Sequence, residues 1–455
     1  MSGTATARPG FIAALKQYQD RRLLFIFLLG CSSGFPWVLI GSAMTGWLKD
    51  AELTRATIGF FGSVTAVYAV NFLWAPLVDR LKLPCLYPLL GQRRSWVFLM
   101  QSMIVLATVA ISFTNPAYSL LWTSILALLI ASAAATMDIA IDGYRIDIIG
   151  HDPERLPAAA AMSVAGWWTG YSLPGYFAFH FADSSGWPQV YLGMAAMLLM
   201  LALLSLFLPE PVNHRDVLQQ KAAARYLQKN QHPLLLWLSV TVIEPFAEFF
   251  RRNGLLLSCS LIAFILVFKL GEAFLGRMSI QFYREIGFSN EQIAEYSKLI
   301  GWGATMIFTL LGSLLNVRFG VIKGLVLGGI TMAGSNLMFA WIALTGPDEQ
   351  LLLWTILLDN FTTAFSIVAF VAFLTSFTGV AFSATQYALL ASIGNFARTS
   401  MASFAGSLVD ALDGQWALFF VLTSVMVIPG LLLLWFIVRQ LKRRQQTESA
   451  EQPVA

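Results

Sequence analysis

Along this chain, apolar and small residues run in long blocks separated by short clusters of Gly, Pro, Asp and basic side chains. A helix crossing the hydrocarbon core needs about 20 apolar residues, whereas barrel strands are alternating segments of about 10, and the blocks match the helical length. Hydropathy predicts twelve spans, over about 23–48, 56–78, 95–113, 118–143, 158–182, 188–208, 255–283, 292–315, 321–345, 350–376, 386–409 and 416–438. Connections within each set of six are short, but a polar stretch from Pro209 to Gly254 separates the sets. The expected fold is an all-α membrane protein with twelve transmembrane helices in two six-helix halves. Its expected units are a tail at 1–22, a first half at 23–208, a central loop at 209–254, a second half at 255–438 and a tail at 439–455. The first apolar run is too long for a signal peptide and has no clear cleavage site, so it reads as a retained span.

Composition supports this reading. Of the 455 residues, 57% are hydrophobic and 12% charged, and mean hydropathy is +0.68. Soluble domains carry roughly 25% charged residues. Nothing in the charge distribution points to nucleic acid. The cysteines Cys31, Cys85 and Cys259 lie far apart and form neither a disulfide framework nor a metal motif. No Walker-type loop or nucleophile elbow occurs, and the four histidines are scattered, so no cofactor is expected and the chain does not read as an enzyme. Energy for uphill transport would then come from an ion gradient. Membrane lipids are the expected surroundings and a monomer the expected state.

Basic residues orient the spans. With both termini cytoplasmic, segments on that side hold 22 of the 29 Lys and Arg residues, and the opposite loops hold 4. That bias is what the positive-inside rule expects. The remaining three, Lys269, Arg277 and Arg398, lie inside apolar runs. Within the central loop, Pro233 to Arg252 is apolar but broken by Glu244 and Pro245, and it predicts an amphipathic helix at the cytoplasmic interface.

Ionisable residues inside spans are costly and mark functional candidates. The fourth span ends in Met137-Asp138-Ile-Ala-Ile-Asp142-Gly-Tyr-Arg145-Ile-Asp147. Asp138 and Asp142 are four apart, so they share a helical face that Arg145 extends. They are the expected proton-coupling pair, with Asp138 the deeper. Arg145 and Asp147 are expected at the helix end, where a surface ion pair or a latch explains them at least as well. Lys269 and Glu272 can pair on one face of the seventh span, as a substrate contact or a self-contained ion pair. Asp359 and Asn360 in the tenth span and Asn395 and Arg398 in the eleventh are similar candidates. An Arg side chain binds carboxylate bidentately, so Arg398 is the expected contact for a substrate carboxylate. Trp167, Trp168 and Tyr171 of the fifth span offer faces on which sugar rings could stack, although interfacial anchoring explains many membrane aromatics. In the first span, Pro36 would loosen the backbone and allow a bend.

The two halves echo each other. Asp79-Arg80 followed by Gly91-Gln-Arg93-Arg94 follows the second span, and Gly312-Ser-Leu-Leu-Asn316-Val-Arg318-Phe-Gly320 follows the eighth. These stretches resemble the Gly-x-x-x-Asp-Arg-x-Gly-Arg-Arg signature of the major facilitator superfamily. Two departures stand out: residues 81–90 split the first copy, and Ala75 replaces its leading Gly. The expected role of Asp79, Arg80, Arg93, Arg94 and Arg145 is a cytoplasmic latch, with Asp79 facing a helix N-terminus or a neighbouring Arg. A solvated basic loop serving topology alone is the alternative.

Four stretches carry a closer resemblance: Phe72-Leu-Trp-Ala-Pro-Leu-Val-Asp79-Arg80, Asp138-Ile-Ala-Ile-Asp142, Phe268-Lys269-Leu-Gly-Glu272-Ala-Phe274 and Phe382-Ser-Ala-Thr-Gln386-Tyr-Ala-Leu-Leu390. In this order they resemble the AmpG-type muropeptide permeases of the superfamily. The resemblance implies the major facilitator fold in the bacterial inner membrane. It also implies proton-driven import of GlcNAc-anhydro-MurNAc and its peptides for peptidoglycan recycling, linked to β-lactamase induction. It adds Gln386 to the expected substrate-binding residues and supports Asp138 and Asp142 as the coupling pair. Some members carry spans beyond the twelve, whereas this sequence ends soon after the twelfth. Two alternatives stay open: a superfamily transporter of another cargo, such as a drug or siderophore, and a non-transporting membrane sensor.

Overall fold

Backbone polar groups cannot be left unpaired in hydrocarbon, and helices satisfy them within each segment. A computed structural model describes residues 15–54, 57, 61–150, 152–211, 237, 239–289, 292, 296 and 300–451, and among them there is no strand. In the first half, α1 spans Arg21–Asp50. The second span is broken into turns at Gly62–Ala66, Val67–Val70 and Asn71–Leu73, ending in α2, Ala75–Arg80. Then come α3 (Tyr87–Ser112), α4 (Leu120–Ile149), α5 (Leu156–Ser185) and α6 (Trp187–Ser205). A short helix, α7 (Glu244–Asn253), precedes the second half. That half holds α8 (Leu255–Ile286), α9 (Gly301–Phe319), α10 (Val321–Thr345), α11 (Glu349–Ser376), α12 (Ser383–Ala402), α13 (Ala405–Ala411), α14 (Trp416–Val425) and α15 (Val427–Glu451). Eight of the described helices are long and apolar enough to cross a membrane. The other predicted spans correspond to the broken second span, α5, α9 and α12 with α13.

Two spans bend where their sequence weakens the helix. In α1, buried Pro36 precedes a π-turn at Val38–Ser42, the bend its missing N–H predicts. In α8, regularity fails at Lys269, with φ −101° and ψ 9°, between Leu255–Phe268 and Leu270–Ile286. The predicted interfacial helix lies partly outside the described residues. Its described part, α7, buries Glu244, Pro245 and Phe249 against protein, so it docks on the bundle.

Small residues set the tightest packing. Gly30 and Gly34 of α1 face Gly166 and Gly170 of α5, each pair four apart, which lets the two backbones touch. A Cβ on Gly34 would sit 2.0 Å from the Trp167 carbonyl oxygen, and one on Gly170 would sit 2.0 Å from that of Cys31.

The start of α1, the end of α4 and the start of α5 meet at one face of the bundle. There Arg22 Nη1 donates to the Ile148 carbonyl (3.2 Å), and Arg155 pairs with Asp20 (3.6 Å). The two halves close on each other at this terminal-bearing face. Ala158 to Ala161 of α5 pack with Val368 and Ala372 of α11, and Ala384 and Ala388 of α12 join the core of the first half. Gly143 of α4 permits that approach, since a Cβ there would lie 2.8 Å from the Ala384 Cβ.

Gly34→Ala is expected to lower the thermal unfolding midpoint in detergent by several degrees, because overpacking costs typically 1–3 kcal/mol. Gly41→Ala, where a Cβ meets nothing within 4 Å, is the control and leaves the midpoint unchanged or slightly raised.

Candidate functional site

Helix α4 carries its acidic residues inward from the terminal-bearing face. At 1.5 Å per residue, Asp142 lies about 10 Å and Asp138 about 16 Å from the helix end at Ile149. The Arg145 guanidinium donates to Asp142 Oδ1 (3.0 Å) and to the Thr375 hydroxyl of α11 (3.2 Å). It also stacks 4.7 Å over the Tyr387 ring of α12. The expected surface ion pair is therefore corrected: Arg145 is 2% exposed, and it ties α4 to two helices of the other half. Asp147 is corrected likewise, with a buried side chain engaged by Arg93. Deeper in, Ser33 of α1 hydrogen-bonds the Asp138 carboxyl, while Asp138 Oδ1 is buried with no hydrogen-bond partner among the described residues.

A second network joins the halves at the terminal-bearing face. Arg93 Nη2 pairs with Asp79 Oδ1 and Arg93 Nε with Asp147 Oδ2, both at 2.8 Å, and Arg93 and Asp79 are wholly buried. Asp79 Oδ2 accepts the Thr385 N–H (2.8 Å) and hydroxyl (2.5 Å). Thr385 stands in the first turn of α12, whose N–H groups have no intrahelical acceptor and favour an anion. Asp79 thus engages an arginine and a helix N-terminus together. Ser383 donates to Asp147 Oδ1 (2.8 Å) and accepts from Arg93 (3.0 Å). Arg93 itself is held by Glu210, whose carboxylate accepts the N–H groups of Arg93 (2.8 Å) and Arg94 (3.1 Å) just past Gly91. Gly91 has φ 81°, the left-handed region that glycine enters without strain, and this kink frees those N–H groups for Glu210. Arg94 donates to the Leu206 carbonyl and remains within the first half. Arg80 donates to Thr241 Oγ1 (2.8 Å) in the turn before α7.

Gln386 belongs to this face rather than to a ligand-facing surface. Its oxygen accepts from the Gly379 N–H (2.6 Å) and Arg252 (3.1 Å), and its NH₂ donates to the Pro245 carbonyl (2.9 Å) and Glu248 (2.5 Å). Every donor and acceptor it has is engaged, and it pins α7 against α12. The expected substrate contact is corrected on that ground for the state described.

In the second half, Lys269 at the α8 break is 8% exposed; it binds Glu272 and donates to the Ser366 hydroxyl (2.6 Å). Asp359 of α11 accepts from Ser335 (3.2 Å) and is an electrostatic neighbour of Glu272 and Lys269. Arg398 of α12 is exposed and close enough to act on Lys269, and Asn395 is exposed one turn earlier. Asn360 is occupied by packing: its oxygen accepts from Thr305 of α9 (2.7 Å), and its NH₂ donates to the Ile356 carbonyl (2.8 Å).

The first half presents aromatics instead. Trp167 stacks on Tyr171 at 5.5 Å, with Trp168 edge-on to both. Trp37 of α1 continues the file to Trp167 (6.3 Å) and to Tyr68 (4.6 Å). Trp37, Trp167, Trp168 and Tyr171 are half-buried, so ring faces stay accessible. The arrangement offers stacking surfaces on one half, an ionic cluster on the other and a carboxyl pair between. Among the described residues no group of three or more His, Cys, Asp or Glu side chains could hold a metal ion.

Sequence reasoning missed Thr385, Ser383, Tyr387, Tyr68 and Glu210. The first three lie within a stretch singled out for its resemblance, yet as ordinary small or aromatic residues they carry no signal of their own. Glu210 acts on a backbone more than a hundred residues away, which no local pattern reveals.

The family model for the Major Facilitator Superfamily matches residues 26–294. The chain is 32% identical over 424 residues to the putative transporter AmpG 4 of Rickettsia conorii, covering 93% of this chain and 98% of that protein. It is 30% identical over 422 residues to the anhydromuropeptide permease of Escherichia coli K12, covering 92% of this chain and 80% of that protein. Among solved structures, the proton:xylose symporter XylE bound to 6-bromo-6-deoxy-D-glucose matches with a TM-score of 0.65 and 16% identity, over 93% of this chain and 96% of that one. The human organic anion transporter MFSD10 matches with a TM-score of 0.57 and 15% identity, over 91% and 99%. These two matches speak to the fold alone. The chain belongs to the major facilitator superfamily, as a multi-pass membrane transporter of its AmpG-type permease family.

Proposed function

We infer that the chain imports anhydromuropeptides, GlcNAc-anhydro-MurNAc and its peptides, across the bacterial inner membrane by proton-coupled alternating access. The observation that carries this reading is the similarity to the E. coli anhydromuropeptide permease along nearly the whole chain. The chemistry of the site supports it. A disaccharide with a peptide tail needs flat apolar faces for its rings and cations for its carboxylates. Trp167, Trp168 and Tyr171 supply the former, and Arg398, with Lys269 and Asn395, the latter. Glu272 and Ser366 hold Lys269 in place beside Asp359, and Asn360 braces α11 against α9.

The excess of basic residues puts both termini and the terminal-bearing face in the cytoplasm. The closed face is then the cytoplasmic one, and the conformation takes substrate from the periplasm. Asp138 and Asp142 carry the coupling: a proton taken up at Asp138 on the periplasmic side is released after the cytoplasmic face opens. Arg145 holds Asp142 and is freed from Thr375 and Tyr387 by the same opening. The import supplies muropeptides for peptidoglycan recycling and for signals that induce β-lactamase. The transporter works as a monomer within lipid and uses no cofactor beyond the proton gradient.

In proteoliposomes, labelled anhydromuropeptide is expected to accumulate under an inward proton gradient, and an uncoupler abolishes the accumulation. Asp138→Asn reduces it to background while leaving substrate counterflow intact. Accumulation insensitive to uncoupler would remove the coupling, and competition by a siderophore or drug but not by muropeptide would reassign the cargo. The latch has its own test. Removing one partner of a buried ion pair costs about 3–5 kcal/mol, so Arg93→Ala shifts the population away from the closed cytoplasmic face. In a background lacking Cys31, Cys85 and Cys259, a cysteine placed at Ala388 between the halves is then labelled faster from the cytoplasmic side. Arg93→Lys resembles Arg93→Ala, because a point charge cannot reproduce the fork that reaches both Asp79 and Asp147.

A further inference from the structure

Among the described residues, several buried polar atoms of the first half have no hydrogen-bond partner, and two of them bear on the carboxyl pair. Tyr68 is 8% exposed, and its hydroxyl is buried and unbonded among the described residues; Asp138 Oδ1 is likewise buried and unbonded. Buried polar groups are nearly always hydrogen-bonded, so two neighbouring exceptions need a reason. Both sit where the broken second span packs on α4: Asn71, one turn beyond Tyr68, donates to the Ala135 carbonyl, one turn before Asp138, and Tyr68 lies within electrostatic reach of the Asp138 carboxyl. The groups facing Asp138 are Ser33 from α1, Tyr68 from the broken second span and Asp142 from its own helix. Tyr68 is the only one of these that can donate to Oδ1 without already serving another role: Ser33 is bonded to the carboxyl, and Asp142 is engaged by Arg145.

The segment bearing Tyr68 is also irregular, alternating between 3₁₀ and α turns from Gly62 to Leu73. It touches three functional elements. The Tyr68 ring packs at 4.6 Å on Trp37, the end of the aromatic file. Its hydroxyl lies within electrostatic reach of Asp138. One turn further on, Asn71 accepts from the Ser392 hydroxyl of α12 (2.7 Å) and donates to the Ala135 carbonyl of α4 (3.4 Å). Asn71 therefore ties the segment to the other half while the terminal-bearing face is closed.

Resting on the proposed proton coupling, we propose that Tyr68 is the positioning residue linking substrate, proton and conformation. When the closed face opens, the Asn71–Ser392 bond breaks, the segment shifts, and the Tyr68 hydroxyl donates to Asp138 Oδ1. That bond stabilises the ionised carboxylate and drives release of its proton to the newly opened side. In the closed state described, the bond is unmade and Asp138 keeps its proton. Substrate stacked on Trp37 biases the same segment through the Tyr68 ring, so cargo and proton are felt by one side chain. The balance is that of a single proton, leaving the Asp138 carboxyl for water on the side that opens, and the Tyr68 hydroxyl keeps its own hydrogen throughout.

The test is the pH profile of gradient-driven anhydromuropeptide uptake in proteoliposomes for the full chain, Tyr68→Phe and Ser392→Ala. Tyr68→Phe keeps the ring on Trp37 and removes only the donor, so Asp138 releases its proton less readily. Its uptake optimum moves alkaline by about one pH unit, and accumulation falls about tenfold at the wild-type optimum, the effect of one hydrogen bond to a charged group. Ligand quenching of tryptophan fluorescence and substrate counterflow remain within about twofold, which a merely structural defect would not spare. Ser392→Ala frees Asn71, favours the bonded state and moves the optimum in the acid direction. A Tyr68→Phe profile superimposable on wild type overturns the proposal, and if that variant is poorly folded, an unmoved Ser392→Ala profile does so. Uncoupler-insensitive uptake by the wild-type chain is a separate outcome, which removes the coupling reading itself and this proposal with it.

Discussion

The architecture depends on one buried charge network. Arg93 sits fully desolvated between Asp79 and Asp147, and Asp79 reaches across to the first turn of α12. Burying an ion is unfavourable unless its partners are well placed, so such a cluster persists only where geometry is dictated from several directions. Here the directions are the kink at Gly91, the clamp of Glu210 on the Arg93 and Arg94 N–H groups, and the end of α4. Because half the ligands of Asp79 belong to the other half of the molecule, the network forms with the halves together and is lost when they part. It is therefore a conformational contact as much as a stabilising one.

The apolar packing around it follows the same division. Glycine pairs let α1 and α5 of the first half meet backbone to backbone. Between the halves, by contrast, contact is made by alanines and valines such as Ala158, Val368, Ala384 and Ala388. Larger groups also meet across the seam: Ile146 of α4 shares a cluster with Phe373 and Tyr387, and Arg145 stacks over Tyr387. The charges and hydrogen bonds supply the specificity that this seam lacks. Helix α7 adds a brace from outside, with Gln386, Arg252 and Glu248 fastening it to α12 and to the end of α11.

Seen from the cavity side, the two halves differ in chemistry. The first offers rings and a carboxyl pair, and the second offers Lys269, Glu272, Asp359 and an exposed Arg398. The broken second span lies where rings, carboxyl and inter-half contact meet, and its irregular backbone gives it freedom that a continuous helix would deny.

Much of this was legible in the chain alone. Span number and order follow from hydropathy, because a bilayer imposes a length on every apolar run and forbids unpaired backbone within it. The cost of charge in lipid likewise marked Asp138, Asp142, Lys269 and Arg398 as residues with a purpose. What the chain could not reveal is which partners those groups choose. A run of sequence carries periodicity but no information on which distant helix lies opposite. Arg145 and Asp147 thus read as surface residues until α11, α12 and Arg93 were seen to enclose them. Gln386 read as a ligand contact until its four hydrogen bonds were seen to be taken. Tyr68 carried no signal until a buried, unbonded carboxyl oxygen was seen within its electrostatic reach. The sequence by itself determined the helices and the candidate charges, since both follow from the solvent. The tertiary structure alone decided the pairing, since a hydrogen bond is satisfied in space and not along the chain.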